Sequence, residues 1–144
     1  MKRIIPILFV ALALFTACDN DDDNRVAVND AIETFIEAEY PGSSIIKAEY
    51  EDNGLLEVEF IHNSIRKDAY FNSNNEWVYT KWDVALASLP QSVVDAASTM
   101  FPNYKIDDAD YIERPDGECY KLELERGNIE QVLFVTPDGN VLES

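Results

Sequence analysis

The chain has 144 residues, of which 28 are Asp or Glu and 11 are Lys or Arg, and its formal net charge is −17. This balance argues against binding to nucleic acid or to anionic lipid, because both require clustered Lys and Arg. The hydrophobic content of 47% suits the core of one ordinary domain, which excludes a chain disordered along its whole length.

The N-terminus has the pattern of a secretory signal peptide. Lys2 and Arg3 supply a positive start, residues 4–15 are almost entirely apolar, and small residues follow. A membrane-spanning helix needs about 20 apolar residues, so this run is too short to remain as an anchor. We therefore predict that residues 1–17 are removed on export.

Residues 14–18, Leu-Phe-Thr-Ala-Cys, resemble the lipobox at which bacterial lipoproteins are cleaved and lipidated. The resemblance implies cleavage before Cys18 and lipidation of that residue, and several acyl chains would attach the protein stably to a membrane. The alternative is an ordinary secretory signal that ends by chance at a cysteine. We predict an exported outer-membrane lipoprotein that faces the periplasm or the cell surface and contacts the membrane through its lipid only.

An acidic run, Asp-Asn-Asp-Asp-Asp-Asn, occupies residues 19–24. Like charges at this density cannot pack together, so we predict a solvated tether over residues 18–27. Asp19, Asp21 and Asp23 also have the alternating spacing of a calcium loop, but the glycine and the closing glutamate of such loops are missing. We therefore predict no metal site and no cofactor.

The first element after the tether is an amphipathic helix over residues 30–41. Asp30 and Glu33 are predicted to cap it, and Pro41-Gly42 to end it. Its apolar face consists of Val28, Ile32, Phe35, Ile36 and Tyr40. Strands are predicted at residues 47–51, 56–60, 69–71 and 77–79, the last two joined by a hairpin at residues 72–76.

The second strand of this set shows a strict alternation. Leu56, Val58 and Phe60 are apolar, whereas Glu57 and Glu59 occupy the polar positions between them. An alternation with a period of two is typical of a half-buried strand. Glu57 and Glu59 are therefore expected to be solvated charges.

The second half repeats the order of elements. Ser88 is predicted to cap a second helix, Pro90 to occupy its first turn, and Phe101-Pro102 to end it. Its apolar face consists of Leu89, Val93, Ala96, Ala97 and Met100. Strands are placed at residues 109–113, 120–124, 133–135 and 141–142, the last two joined by a hairpin at residues 136–140.

The two halves align with each other. Tyr40-Pro41 and Phe101-Pro102 lie 61 positions apart in the sequence. The same offset relates Ile45 to Ile106, Ala48 to Ala109, and Tyr50 to Tyr111. The later strands align at an offset of 64, because the second half gains residues near its first turn.

These matches predict an α+β fold made of two tandem helix-plus-antiparallel-strand repeats, residues 28–84 and 85–144. Both helices are expected to pack on one face of a meander sheet. The alternative is a pair of unrelated α+β halves.

Three features resemble the PepSY-like family, which is also described as beta-lactamase-inhibitor-like. They are the helix that ends in an aromatic residue and proline, the strand at residues 120–124, and the run Phe-Val-Thr-Pro-Asp-Gly-Asn-Val-Leu at residues 134–142. The likeness extends over residues 28–144. It implies an exported α+β protein without known chemistry, and it implies binding or inhibition of other proteins.

The residues carry little sign of catalysis. The sequence contains no glycine-rich phosphate loop, no zinc-binding histidine or cysteine pair, and no nucleophile elbow. Once Cys18 is lipidated, Cys119 is the remaining thiol and His62 the only histidine, so they are the one conceivable nucleophile–base pair. Such residues are more often structural, and we predict that the protein is not an enzyme and has no catalytic residues.

Aromatic residues cluster where the two halves meet. Trp77, Tyr79 and Trp82 form the candidate binding surface, since Trp and Tyr are favoured in protein interfaces. Alternation along the strand would place Trp77 and Tyr79 on one face, and Trp82 is expected to be the exposed ring. The alternative is that Trp77 and Tyr79 line the core over the first helix.

Together these features predict a non-catalytic binding protein of the cell envelope. Its expected partner is another envelope protein, which it would bind or inhibit, and neither nucleic acid nor a metal is expected. The alternative is a carrier of a small ligand or polymer, or a structural lipoprotein. Neither the oligomeric state nor a role for Cys119 follows from the sequence.

Overall fold

A computed structural model describes residues 26–143. The predicted signal peptide, Cys18, and the acidic run of the tether lie outside the described residues. The elements in chain order are α1 (Asp30–Glu39), β1 (Ser44–Tyr50), β2 (Leu56–His62), β3 (Ile65–Phe71), β4 (Trp77–Asp83), a short 3₁₀ turn (Leu86–Ser88), α2 (Gln91–Met100), β5 (Lys105–Arg114), β6 (Gly117–Arg126) and β7 (Ile129–Val135). All seven strands form one antiparallel sheet whose spatial order follows the chain.

The helices begin differently from the sequence prediction. The side chain of Asn29 caps α1 by accepting a 2.7 Å hydrogen bond from the backbone N–H of Ala31, so the cap is not Asp30. Pro90 precedes α2 without any side-chain cap. Ser88 closes the 3₁₀ turn instead, because its hydroxyl donates to a carbonyl three residues earlier. Both predicted caps are therefore wrong, although both helices exist.

The predicted strands are present, and most are longer than the alternation indicated. The exception is the last one, since residues 141–142 contribute a single bridge between Val135 and Val141. Four strands therefore follow α1, and three follow α2. Val26, assigned by sequence to the tether, donates a 2.9 Å hydrogen bond to the carbonyl of Ala48 and packs on the first core.

Both helices cover the same face of the sheet. Ala69 pairs with Thr80 across β3 and β4, and Thr80 pairs with Glu113 across β4 and β5. Because paired residues on neighbouring strands point to the same side of a sheet, these three side chains share a face. The core under α1 contains Val58, Phe60, Ala69 and Phe71, and the core under α2 contains Ala109, Leu122, Leu124 and Val135. We call this side the helix face and the opposite side the open face, which carries Asp68, Tyr79, Ile112 and Lys121. Met100, predicted to be apolar core, is exposed at the end of α2.

The two halves join through the pairing of β4 with β5. On the helix face of this junction, the Tyr40 hydroxyl donates to a carboxylate oxygen of Glu113 at 2.5 Å. The indole N–H of Trp77 donates to the buried hydroxyl of Thr80 at 2.9 Å. The Tyr40–Glu113 hydrogen bond joins the two halves, whereas the Trp77–Thr80 hydrogen bond lies within β4. Over residues 26–143, no helix has the length and hydrophobicity needed to cross a membrane.

Candidate functional site

The three aromatic residues predicted as a surface do not lie together. Trp77 packs on Phe35 of α1 with ring centroids 5.3 Å apart, which places it on the helix face. Tyr79 stacks on Tyr70 at 4.3 Å on the open face. The prediction that Trp77 and Tyr79 share a face is therefore wrong, and the alternative of a core position holds for Trp77 alone.

A β-bulge is the cause of this separation. Tyr70 pairs with Tyr79, whereas the next residue, Phe71, pairs with Trp77, so Val78 is an extra residue in β4. An extra residue interrupts the alternation of side chains along a strand. Spacing in the sequence could not have revealed it.

Trp82 also lies on the helix face and is half-buried rather than exposed. The ammonium of Lys67 lies 3.0 Å from the centroid of its indole ring, and Tyr111 packs beside it at 4.8 Å. Lys67 is only 6% exposed, and desolvation by this burial lowers its pKa. Lys67 carries no sign of this role in the sequence, since it occupies an inward strand position where an apolar residue is expected.

A groove opens on the open face between β4 and β7. Its volume is about 380 Å³, and it is lined by Tyr79, Lys81, Asp110, Ile112, Arg114, Lys121 and Phe134. The register explains this grouping, because Lys81 pairs with Ile112 and Lys121 pairs with both Asp110 and Phe134. Tyr79 is the only one of these residues that the sequence predicted as part of a binding surface, since the others occupy ordinary polar and apolar strand positions.

The charges in the groove are partly paired. Lys121 contacts Glu123 at 2.6 Å and Asp110 at 3.7 Å, and the hydrogen bond to Glu123 raises the pKa of Lys121. Burial, followed by a hydrogen bond with Asp83, raises the pKa of Asp110. The Arg114 Nε atom lies 3.6 Å from Asp116 and is buried without an acceptor among the described residues. The groove therefore contains cationic hydrogen-bond donors that are not fully used.

Next to the groove, β2 and β3 carry an acidic cluster of Glu57, Glu59 and Asp68. Their carboxylate oxygens lie within 4.8 Å of one another, a spacing that could hold a metal ion. Glu59 is 6% exposed, so the expectation of a solvated charge is wrong for this residue. Its carboxylate lies 2.9 Å from Arg66 and 3.8 Å from Lys47, although the Arg66 N–H does not point at the oxygen.

The other two residues of the acidic cluster are Glu57, which accepts a hydrogen bond, and Asp68, which is half-buried. The Tyr70 hydroxyl donates to Glu57 at 2.7 Å, and burial together with this bond raises the pKa of Tyr70. Burial, and then the nearby charge of Glu57, raises the pKa of Asp68 to about 6. Like charges held this close oppose each other, so the cluster stores unfavourable electrostatic energy at neutral pH.

His62 and Cys119 do not meet. His62 ends β2 and packs on Tyr40 at 5.6 Å on the helix face. Cys119 lies in β6, opposite Ile112 on the open face, and burial raises the pKa of its thiol. Four strand spacings of about 4.8 Å separate β2 from β6, a distance of about 19 Å. These two residues therefore cannot act as a nucleophile and its base.

Solved structures share this fold. A BLIP-like protein from Bacteroides fragilis is 22% identical, with a TM-score of 0.72, and the match covers 86% of this chain and 89% of that one. A DUF2874 family protein from Bacteroides ovatus is 24% identical, with a TM-score of 0.68 and coverage of 82% and 86%. A structure from Bacteroides eggerthii, described as "putative periplasmic proteins", is 19% identical, with a TM-score of 0.66 and coverage of 82% and 88%. At these identities the likeness shows the fold alone.

No curated protein matches the sequence significantly. A family model does match, over residues 54–143, and its description is "Putative beta-lactamase-inhibitor-like, PepSY-like". The match covers more than half of the chain and contains the groove, the acidic cluster and α2. It begins later than the likeness drawn from the sequence, which started at residue 28. This chain therefore belongs to the PepSY-like, beta-lactamase-inhibitor-like family.

Proposed function

We propose that this protein is a non-catalytic binding protein whose open face recognises another protein. The observation that carries the proposal is the groove on that face, with Tyr79, Ile112 and Phe134 beside three cationic side chains. Among residues 26–143, both helices lie on the opposite side, so no helix covers this face. An aromatic and apolar centre with charged groups around it is the usual composition of a protein interface.

The family description supports a binding role. The matching family is beta-lactamase-inhibitor-like, and the Bacteroides fragilis structure is described as BLIP-like. Inhibition of an enzyme by binding requires a rigid complementary surface and no chemistry of its own. A face of a seven-stranded sheet meets that requirement, because its side chains are positioned by regular backbone pairing on both sides.

We place this binding face in the bacterial envelope, on a lipoprotein attached through Cys18. The support is the signal-like N-terminus and its lipobox-like residues. Mass spectrometry of the N-terminal peptide from membranes of the source bacterium tests this directly. We expect a peptide that begins at Cys18 and carries the mass of its acyl chains. An unmodified Cys18, or cleavage at another position, would contradict the proposal.

Two matched variants test which face binds. Tyr79 and Trp82 are half-buried aromatic residues of the same strand that lie on opposite faces. In a pull-down from envelope extract, Tyr79→Ala should lose a partner that wild type and Trp82→Ala both retain. Circular dichroism of each variant would check that the fold survives. Loss of the partner with Trp82→Ala alone would move the binding surface to the helix face, and no specific partner for wild type would contradict the proposed function.

We also propose that the two halves are copies of one unit. Both helices end in an aromatic residue with nearly the same backbone angles, φ −129° at Tyr40 and φ −127° at Phe101. The first strand of each half carries a register shift at matching positions, between Ile45 and Lys47 and between Ile106 and Asp108. Matching irregularities support common descent more strongly than matching regular elements, because a bulge is not required by the fold.

A loop exchange tests this equivalence. In the hairpins at residues 72–76 and 136–140, the first backbone N–H donates to the last carbonyl at 2.9 Å in both cases. Asn75 and Gly139 occupy the same place in their loops, and both have positive φ. Placing the sequence of residues 136–140 at residues 72–76 should therefore change the stability by no more than about 1 kcal/mol.

The reverse exchange should fail for a local reason. It would place an asparagine at Gly139, where a Cβ atom would lie 2.8 Å from the carbonyl oxygen of Ser92 in α2. We expect this variant to be much less stable in urea denaturation than the first exchange. If the first exchange unfolded the protein, the two loops would not be equivalent as proposed. If the reverse exchange were tolerated, the contact with Ser92 would not be the local constraint at Gly139.

A further inference from the structure

We propose that the groove on the open face takes a single acidic side chain of the partner protein, together with an apolar side chain next to it. This inference rests on the proposed function of that face and specifies what it recognises. The partner residue would place its carboxylate between Lys81 and Arg114. Its apolar neighbour would lie against Tyr79, Ile112 and Phe134.

The distribution of charge favours a negative group at this point. The chain has 28 acidic and only 11 basic residues, yet three basic side chains line this one groove against a single lining acid, Asp110. A cation in such an acidic chain would ordinarily be paired with a carboxylate of its own. Lys121 is paired with Glu123, so the cations that favour an incoming negative group are Lys81 and Arg114.

Two of the three cations have donors to spare. Within the described part of the chain, Lys81 has no carboxylate oxygen within 4 Å. Asp68, Asp110 and Glu123 act on it only at longer range. Its ammonium lies 5.6 Å from the centroid of the Tyr70 ring, a contact that uses no hydrogen-bond acceptor. Arg114 has one exposed acidic neighbour, Asp116, and its Nε is buried without an acceptor. Only Lys121 is closely paired, to Glu123. A carboxylate entering the groove would accept hydrogen bonds from the Lys81 ammonium and from the accessible part of the Arg114 side chain, which is 36% exposed.

The size and walls of the groove favour a side chain over a bare ion. A water molecule accounts for about 30 Å³ of liquid, whereas the groove has a volume of about 380 Å³. Two of its lining residues are aromatic and a third is Ile112, so part of any ligand must be apolar. A polyanion is disfavoured, because the net charge of −17 would repel every charge that lay outside the groove.

Two capped peptides of identical shape test the charge requirement. The first is acetyl-Gly-Phe-Glu-Phe-Gly-amide, and the second has Gln in place of Glu. Each is titrated into the ¹⁵N-labelled protein at millimolar concentration, where complexes with a Kd near about 1 mM become visible in amide chemical shifts. We expect the Glu peptide to shift amides of β4 to β7 and to bind about tenfold more tightly than the Gln peptide.

Three variants assign the effect to the groove. Lys81→Met and Arg114→Met should each weaken the Glu peptide about tenfold and leave the Gln peptide unchanged. Lys105→Met is the control, since Lys105 is an exposed lysine of β5 that does not line the groove. Equal binding of the two wild-type peptides, shifts outside β4 to β7, or absence of any shift would overturn the inference. In that event, a pull-down in which Tyr79→Ala still loses the partner would leave the proposed function standing.

Discussion

Asp68 provides the sharpest test of the electrostatics of the open face. Its carboxyl group lies half-buried in β3 beside Glu57 and Glu59, and burial is the main reason why its pKa is raised to about 6 from the ordinary value of 3.8. A raised carboxyl pKa means that ionising this group costs more free energy in the folded state than in the unfolded state. Replacing the carboxyl with an amide of the same shape, Asp68→Asn, should therefore stabilise the protein at neutral pH.

The magnitude follows from the pKa difference. Each tenfold change in proton affinity corresponds to about 1.4 kcal/mol, so the full difference corresponds to about 3 kcal/mol. Because the side chain keeps part of its contact with water, we expect about half of this, roughly 1.5 kcal/mol of added stability above pH 6.

The sign of the pH dependence is also determined. The unfolded chain ionises Asp68 near pH 3.8, whereas the folded protein does so only near pH 6. The destabilisation by Asp68 therefore develops as the pH rises between these values and is complete above the upper one. The advantage of Asp68→Asn should shrink steadily as the pH is lowered from about 6 to about 4.

Urea denaturation followed by the fluorescence of Trp77 and Trp82 measures these differences. Asp52→Asn is the matched control, because Asp52 is exposed in the turn between β1 and β2. This control should follow the wild-type curve at every pH. A loss of stability in Asp68→Asn at pH 7 would show that the Asp68 carboxylate is stabilised by its neighbours. A gain that does not depend on pH would show that the gain does not come from ionisation of Asp68, and either result would refute the prediction.

Three further predictions concern the frame that positions the open face. Phe60→Ala removes a ring with 0% exposure and should lower the free energy of unfolding by about 3–5 kcal/mol in urea denaturation. The neighbouring Ile61→Ala, at 42% exposure, should lower it by less than about 1 kcal/mol. Equal losses would contradict the assignment of the two residues to opposite faces. Asn29→Ala removes the cap of α1 and should cost about 1 kcal/mol by the same assay, with Asn29→Asp as the neutral control. Thr80→Val leaves the Trp77 indole without its acceptor and should lower stability by about 1 kcal/mol while shifting the tryptophan emission, and an unchanged spectrum would refute the hydrogen bond.

Much of the fold was predictable because it depends on local chemistry. The aromatic–proline pairs at Tyr40 and Phe101 mark the helix ends, since proline cannot continue a helix. The alternation around Val58 and Leu122 marks strands, because neighbouring side chains point to opposite faces of a sheet. Short connections between successive strands made an antiparallel meander the expected order, and the structure confirms it.

The candidate site was less predictable, because it depends on irregularities and on distant neighbours. A single extra residue, Val78, reverses the alternation and sends Trp77 and Tyr79 to opposite faces. Glu59 looks like a surface charge until Arg66 and Lys47 are placed beside it by strand pairing. Neither effect leaves a signal in residue spacing.

The division between sequence and structure therefore follows the range of the forces involved. Backbone preference and the polarity of successive side chains act within a few residues, so the sequence alone predicted the helices and the strands. Its composition and its first residues likewise showed the acidic character and the signal-like N-terminus. Bulges, strand register and the pairing of β4 with β5 depend on contacts between residues far apart in the chain. Only those contacts decided that Lys81, Arg114 and Lys121 share one groove, because each residue lies on a different strand.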